Sequence, residues 1–197
     1  MDPINILVLI ALVFLMSANY AGSQKSLKGK MGLVARRASG WLQTVPPNVL
    51  AVSTLLQFLG CFPIVDTWFL GYTPDATVRI LFFVLFILFS FTQIRSYKTL
   101  SENYSTDVMI YKNHRLVKNE FYKFIRHPQY LSQLLADLCV GVALLSSPVI
   151  ILTLVASFPL LLLRAKKEEE MLASHFKGNS TPIKKVPGFS SLISDFF

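Results

Sequence analysis

The chain has 197 residues, of which 53% are hydrophobic and 15% charged, with a net charge of +8 and a mean hydropathy of +0.51. Soluble domains carry about 25% charged residues, so this composition excludes an ordinary soluble enzyme domain and points to a membrane protein. The basic residues lie in connecting segments without an aromatic stacking platform, which reads as membrane orientation and not as nucleic-acid binding.

Residues 4–20 form the first apolar run. Asp2 stands where a secretory signal carries basic residues, so the run predicts a first transmembrane helix. Residues 23–43 are a linker with Lys25, Lys28, Lys30, Arg36 and Arg37 and no acid. Pro46 and Pro47 mark the start of a second span over residues 48–70, with Asn48 as its cap and Pro63 as a kink or stop. The connection with Asp66, Gly71, Pro74 and Asp75 has turn chemistry and an acidic balance. Residues 77–94 are long enough for a third span, since about 20 apolar residues cross a bilayer core of ~30 Å.

Residues 95–129 form a polar segment with seven Lys or Arg against three acids. Residues 130–145 and 148–163 are two shorter apolar runs joined by Ser146 and Ser147, and they predict a helical hairpin. Residues 164–176 are charged but favour helix, and 177–197 make a polar tail. Cys61 and Cys139 sit in apolar runs and read as buried free thiols.

Cytoplasmic loops carry the excess of Lys and Arg. The pattern predicts five spans, an outside N-terminus and cytoplasmic polar segments. Sequons at Asn103 and Asn179 would then face the cytoplasm and are chance matches. The same topology brings residues 114–130 and 164–170 together, at the two open ends of one hairpin.

The chemistry-bearing residues fall in those two stretches. Pro128 suits the first turn of a helix, where a missing N–H costs nothing. His127 stands just before it, at a terminus that favours negative charge. An interfacial belt of Arg126, His127 and Tyr130 is the competing reading. Glu168, Glu169 and Glu170 follow the last span directly and suit a cation or ligand hydroxyls. Arg164 and Glu168 are also spaced as a plain i,i+4 pair. No His or Cys sits at metal-ligand spacing. Asp137 lies in the middle of the fourth span, where a carboxylate implies a function or a buried partner such as Thr153 or Ser157.

In order along the chain come His114-Arg115-Leu116-Val117, Tyr122, Ile125-Arg126-His127-Pro128-Gln129-Tyr130, the hairpin, and then Arg164, Glu168, Glu169, Leu172 and Phe176. This order and spacing resembles the isoprenylcysteine carboxyl methyltransferase family and its phospholipid methyltransferase relatives. The resemblance covers roughly residues 100–176. It implies S-adenosyl-L-methionine as cofactor, in a cytoplasmic pocket built by the loop before span four and the helix after span five. By that resemblance His114, Arg115, Leu116 and Val117 line the adenosine. Tyr122 packs on the cofactor, and His127, Pro128, Gln129 and Tyr130 hold its methionine part and ribose. Glu168 and Glu169 also bind it, Arg164 faces the acceptor, and Arg164 and His127 are the catalytic candidates. Two features depart from the pattern. Glu120 occupies the place of a glycine two residues before Tyr122, and no tyrosine follows Phe176.

The expectation is an all-α integral membrane protein, one membrane domain over 1–197, with three N-terminal spans in 4–94 and a methyltransferase core in 95–176. It would methylate the carboxylate of an isoprenylcysteine or similar lipid-linked acceptor that enters from the bilayer, without metal or nucleic acid. Alternatives are a phospholipid N-methyltransferase, a non-enzymatic five-span protein or carrier, and the same fold with a nicotinamide cofactor.

Overall fold

A computed structural model describes residues 2–28, 34–37, 40–62, 68, 71–100, 109–111 and 120–175, with only the backbone course at 19–28, 34–37, 109–111 and 175. Helix α1 (Pro3–Lys28) opens on Asp2, whose Oδ1 accepts from the Ile4 N–H at 2.9 Å. It runs on into the stretch expected as linker. Helix α2 (Val45–Gly60) starts three residues earlier than the sequence implies. Thr44, not Asn48, holds the N-cap position, and both prolines fit the first turn. The helix stops at Gly60, short of the expected span end, and Pro63 and Asp66 lie outside the described residues.

Helix α3 (Ala76–Leu100) continues past residue 94 into the segment expected as polar connection. Helix α4 (Pro128–Ala143) begins at its proline, as expected. Leu144, Leu145 and Ser146 turn the chain into α5 (Ser147–Leu152). A π-turn (Thr153–Ser157) and α6 (Phe158–His175) extend it as one rod. The hairpin is thus as expected, but its second arm carries a π-turn that no residue pattern announces.

The helical architecture is as expected, and one short strand pair adds to it. Strands β1 (Val34–Arg37) and β2 (Met109–Tyr111) pair antiparallel, with Val34 opposite Tyr111 and Arg37 opposite Met109. They join the linker after α1 to the segment after α3.

Among the described residues two helices, Ala76–Leu100 and Ser147–Ser174, are long and apolar enough to cross a membrane, and Pro3–Ala18 is a shorter apolar stretch. Phe14, Phe91 and Val155 point outward from three different rods. The core holds Val8, Leu12, Phe86, Val140 and Val149, and a second cluster of Leu134, Leu161 and Ala165 lies toward the open ends of the hairpin. Close packing in the hairpin depends on Gly141, because a Cβ there would come within 2.7 Å of Ile150 Cγ1.

Two polar devices set the helix order. At one end Arg79 is buried and uses all three of its nitrogens. It donates from Nε to the Ala143 carbonyl at 3.0 Å, from Nη1 to Asp2 Oδ2 and from Nη2 to Asn5 Oδ1 at 2.9 Å. It therefore clamps the starts of α1 and α3 to the end of α4. Between α2 and α4, Asp137 Oδ1 accepts from Gln57 Nε2 at 2.8 Å and from Gln133 Nε2 at 2.9 Å. Gln93 on α3 donates in turn to Gln133 Oε1. Thr153 and Ser157 are not the partners, since Thr153 donates to its own helix at the Val149 carbonyl, 2.8 Å away. Cys61 and Cys139 are buried free thiols.

Candidate functional site

The site forms where the two arms of the hairpin open. His127 takes the N-cap position of α4 with φ −123 and ψ 60, and its side chain makes no cap bond. The imidazole is therefore free to turn inward. It stacks on Tyr130 one turn later, with centroids 5.4 Å apart and planes 6° from parallel. Residues three apart on a helix share a face, so the stack follows from the spacing.

Across the opening, α6 presents Arg164, Glu168 and Glu169. The Tyr130 hydroxyl donates to Glu168 Oε1 at 2.5 Å, and Arg164 Nε lies 3.4 Å from the same oxygen. The Arg164 guanidinium sits 6.0 Å from the Tyr130 ring centroid, within cation–π range. Arg126 Nη1 donates to Glu169 Oε2 at 2.7 Å. His127 stands between the two acids, with Nδ1 3.5 Å from Glu168 Oε2 and Nε2 3.2 Å from Glu169 Oε1. Each guanidinium lies against one carboxylate of the pair, Arg126 in a close 2.7 Å bond and Arg164 at a longer 3.4 Å.

Two buried polar atoms at this place lack an aligned hydrogen-bond partner among the described residues, His127 Nε2 and Gln129 Oε1. Glu169 Oε1 is the nearest acid to Nε2, at 3.2 Å. Buried polar groups are nearly always paired, so these two atoms are the ones left for a ligand or water to satisfy.

His127, Tyr130, Arg164, Glu168 and Glu169 thus come together, with Pro128 and Gln129 buried behind them. Tyr122 is buried against α3, where its hydroxyl lies 3.5 Å from the Ser96 carbonyl oxygen. His114, Arg115, Leu116, Val117 and Phe176 lie outside the described residues. Sequence reasoning missed the role of Arg126 as counter-charge to Glu169, although its place one residue before His127 was a usable signal. It also missed what Glu120 does. That residue begins a 3-10 turn (Glu120–Lys123) at φ +52, a left-handed conformation that glycine adopts freely. Hydrogen bonds from Arg95 and then Thr99 hold its carboxyl below the usual carboxylate range.

Residues 80–174 match the Isoprenylcysteine carboxyl methyltransferase (ICMT) family. The ICMT match starts inside α3 and ends in α6. It spans just under half of the chain and takes in the whole cluster, Glu120 and the hairpin, while α1 and α2 lie outside it. It supports a membrane methyltransferase. A comparison with curated proteins finds no match to the chain.

Proposed function

We propose that the chain is a five-span, S-adenosyl-L-methionine-dependent carboxyl methyltransferase acting on an isoprenylcysteine or similar lipid-linked acid. The carrying observation is the convergence of His127, Tyr130 and Glu168 with Arg164 at the open end of an apolar hairpin. A water-soluble cofactor would reach this place from the cytoplasm, and a lipid acceptor would reach it sideways from the bilayer.

When bound, the cofactor supplies a methyl group on a positively charged sulfur. Gln129 Oε1 is an acceptor suited to its ammonium group. His127 Nε2 suits its carboxylate when that nitrogen carries the proton. Glu168, held by Tyr130 and Arg164, is placed for a ribose hydroxyl. His114, Arg115, Leu116 and Val117 would line the adenine side, and Glu169 would fix His127 and Arg126. Arg164 would hold the acceptor carboxylate, which is charged at pH 7 and needs no general base. The protein's contribution is alignment of donor and acceptor, a source of several kcal/mol in such displacements.

What supports a carboxylate over an amine acceptor is Arg164, a buried guanidinium on α6 whose 3.4 Å contact with Glu168 is long enough to be exchanged for an acceptor carboxylate. The test is calorimetry of the purified full chain with S-adenosylhomocysteine, then turnover with an S-prenylated cysteine bearing a free carboxylate and with its amide. Binding plus turnover of the acid alone is expected. No heat at high micromolar ligand overturns the reading, and methylation of an ethanolamine phospholipid instead would reassign the acceptor.

A further inference from the structure

Glu120 pays for a left-handed backbone that costs a residue with a side chain about 1 kcal/mol. Its side chain is gripped in return. Arg95 donates to both carboxylate oxygens, from Nε to Oε2 at 3.1 Å and from Nη2 to Oε1 at 2.8 Å. Thr99 Oγ1 donates to Oε2 at 2.7 Å. Between those two residues on α3, the Ser96 carbonyl faces the Tyr122 hydroxyl. One turn of α3 therefore holds the 3-10 turn at two points. The turn then runs on without a break: the Phe124 and Ile125 N–H groups both donate to the Phe121 carbonyl, and Arg126 and His127 follow at once. A bidentate Arg–carboxylate pair fixes geometry well, whereas an exposed pair adds little global stability. The contrast points to position.

We propose that Glu120 is a positioning residue: through Arg95 and Thr99 it latches the 3-10 turn onto α3 and so sets Tyr122 and the approach of Arg126 and His127 to α4. Its functional readout rests on the methyltransferase reading, while its structural readout does not.

The test uses the full chain in detergent micelles, with Glu120→Gly, Glu120→Gln and the exchange of Glu120→Arg with Arg95→Glu. Glycine relieves the left-handed strain, so a residue needed only for backbone shape would be neutral or improved by it. The expected result for Glu120→Gly is a wild-type Tm, faster hydrogen exchange at amides 121–127, and a Kd for S-adenosylhomocysteine raised about tenfold, equivalent to 1.4 kcal/mol. Glu120→Gln keeps acceptor capacity for Thr99 and falls between. The exchange variant recovers part of the affinity and of the protection. Wild-type exchange and affinity in Glu120→Gly would overturn the latch, as would an exchange variant no better than Glu120→Gly. If the wild-type protein binds no ligand, the methyltransferase reading fails, and the exchange rates at 121–127 alone decide the latch.

Discussion

The Tyr130 hydroxyl on the first turn of α4 donates a 2.5 Å hydrogen bond to Glu168 Oε1 on α6. The two residues stand at opposite ends of the hairpin's sequence, and this bond closes its mouth. Arg164 reaches the same oxygen from one turn earlier on α6, and His127 stacks on the back of the Tyr130 ring. Glu168 is the hub on which three site residues depend.

Removing that hub should separate binding from packing. A hydrogen bond to a charged group is worth about 1.5–3 kcal/mol. Tyr130→Phe keeps the ring stack and loses the bond, so S-adenosylhomocysteine affinity should fall about tenfold. Glu168→Gln should cost more, because buried Arg164 then lacks its counter-charge. Calorimetry on the three proteins reads this directly, and equal affinities would detach Glu168 from ligand binding.

The Asp137 network predicts a stability effect without contact to the site. Asp137→Leu removes the Asp137 acceptor from both the Gln57 and Gln133 amides and leaves Gln57 only its longer 3.3 Å bond to Ser53 Oγ. Each unmet buried donor costs about 1–3 kcal/mol. The variant should melt well below wild type. Adding Gln57→Leu should recover part of the loss, since the buried amide left with only Ser53 disappears with it. A melting temperature unchanged by Asp137→Leu would show that the network carries no weight.

The hairpin, its start at Pro128 and the meeting of residues near 127–130 with those near 164–169 were legible, because helical spacing and one short turn dictate them. The Arg164–Glu168 pair was legible for the same reason. Asp137 was flagged by its burial cost, but its partner Gln57 is 80 residues away, and only packing of α2 against α4 identifies it. The π-turn leaves no period in the sequence. Strands β1 and β2 were too short to show alternation. Glu120 was visible only as a departure from a glycine pattern, and the φ of +52 gives that departure its physical meaning.

Gly141 tests how closely the hairpin arms are packed. A methyl group there meets Ile150 Cγ1 at 2.7 Å, near the base of that side chain and not at a flexible tip. Overpacking of this kind costs about 1–3 kcal/mol. Gly141→Ala should lower the melting temperature, and Ile150→Ala in the same chain should relieve the clash. A fully wild-type melting curve for Gly141→Ala would mean that the arms part easily.

The Asp2–Arg79 pair makes stability depend on acid pH in a way that can be isolated. The hydrogen bond from Arg79 is the main cause that lowers the Asp2 pKa, against a smaller opposing effect of burial. A carboxyl depressed in the folded state stabilises it above the unfolded value of about 3.9, and that contribution is lost as pH falls through the folded value. Other carboxylates titrate in the same window, so the wild-type curve alone is ambiguous. The difference between wild type and Asp2→Asn is not. Arg79 keeps its bonds to Ala143 and Asn5 in the variant, so the helix ends stay joined. Asp2→Asn should therefore melt below wild type at pH 6, and the gap should narrow as the pH is taken below about 4. A gap that stays constant over that range would mean that Asp2 acts through packing at the start of α1 and not through its charge.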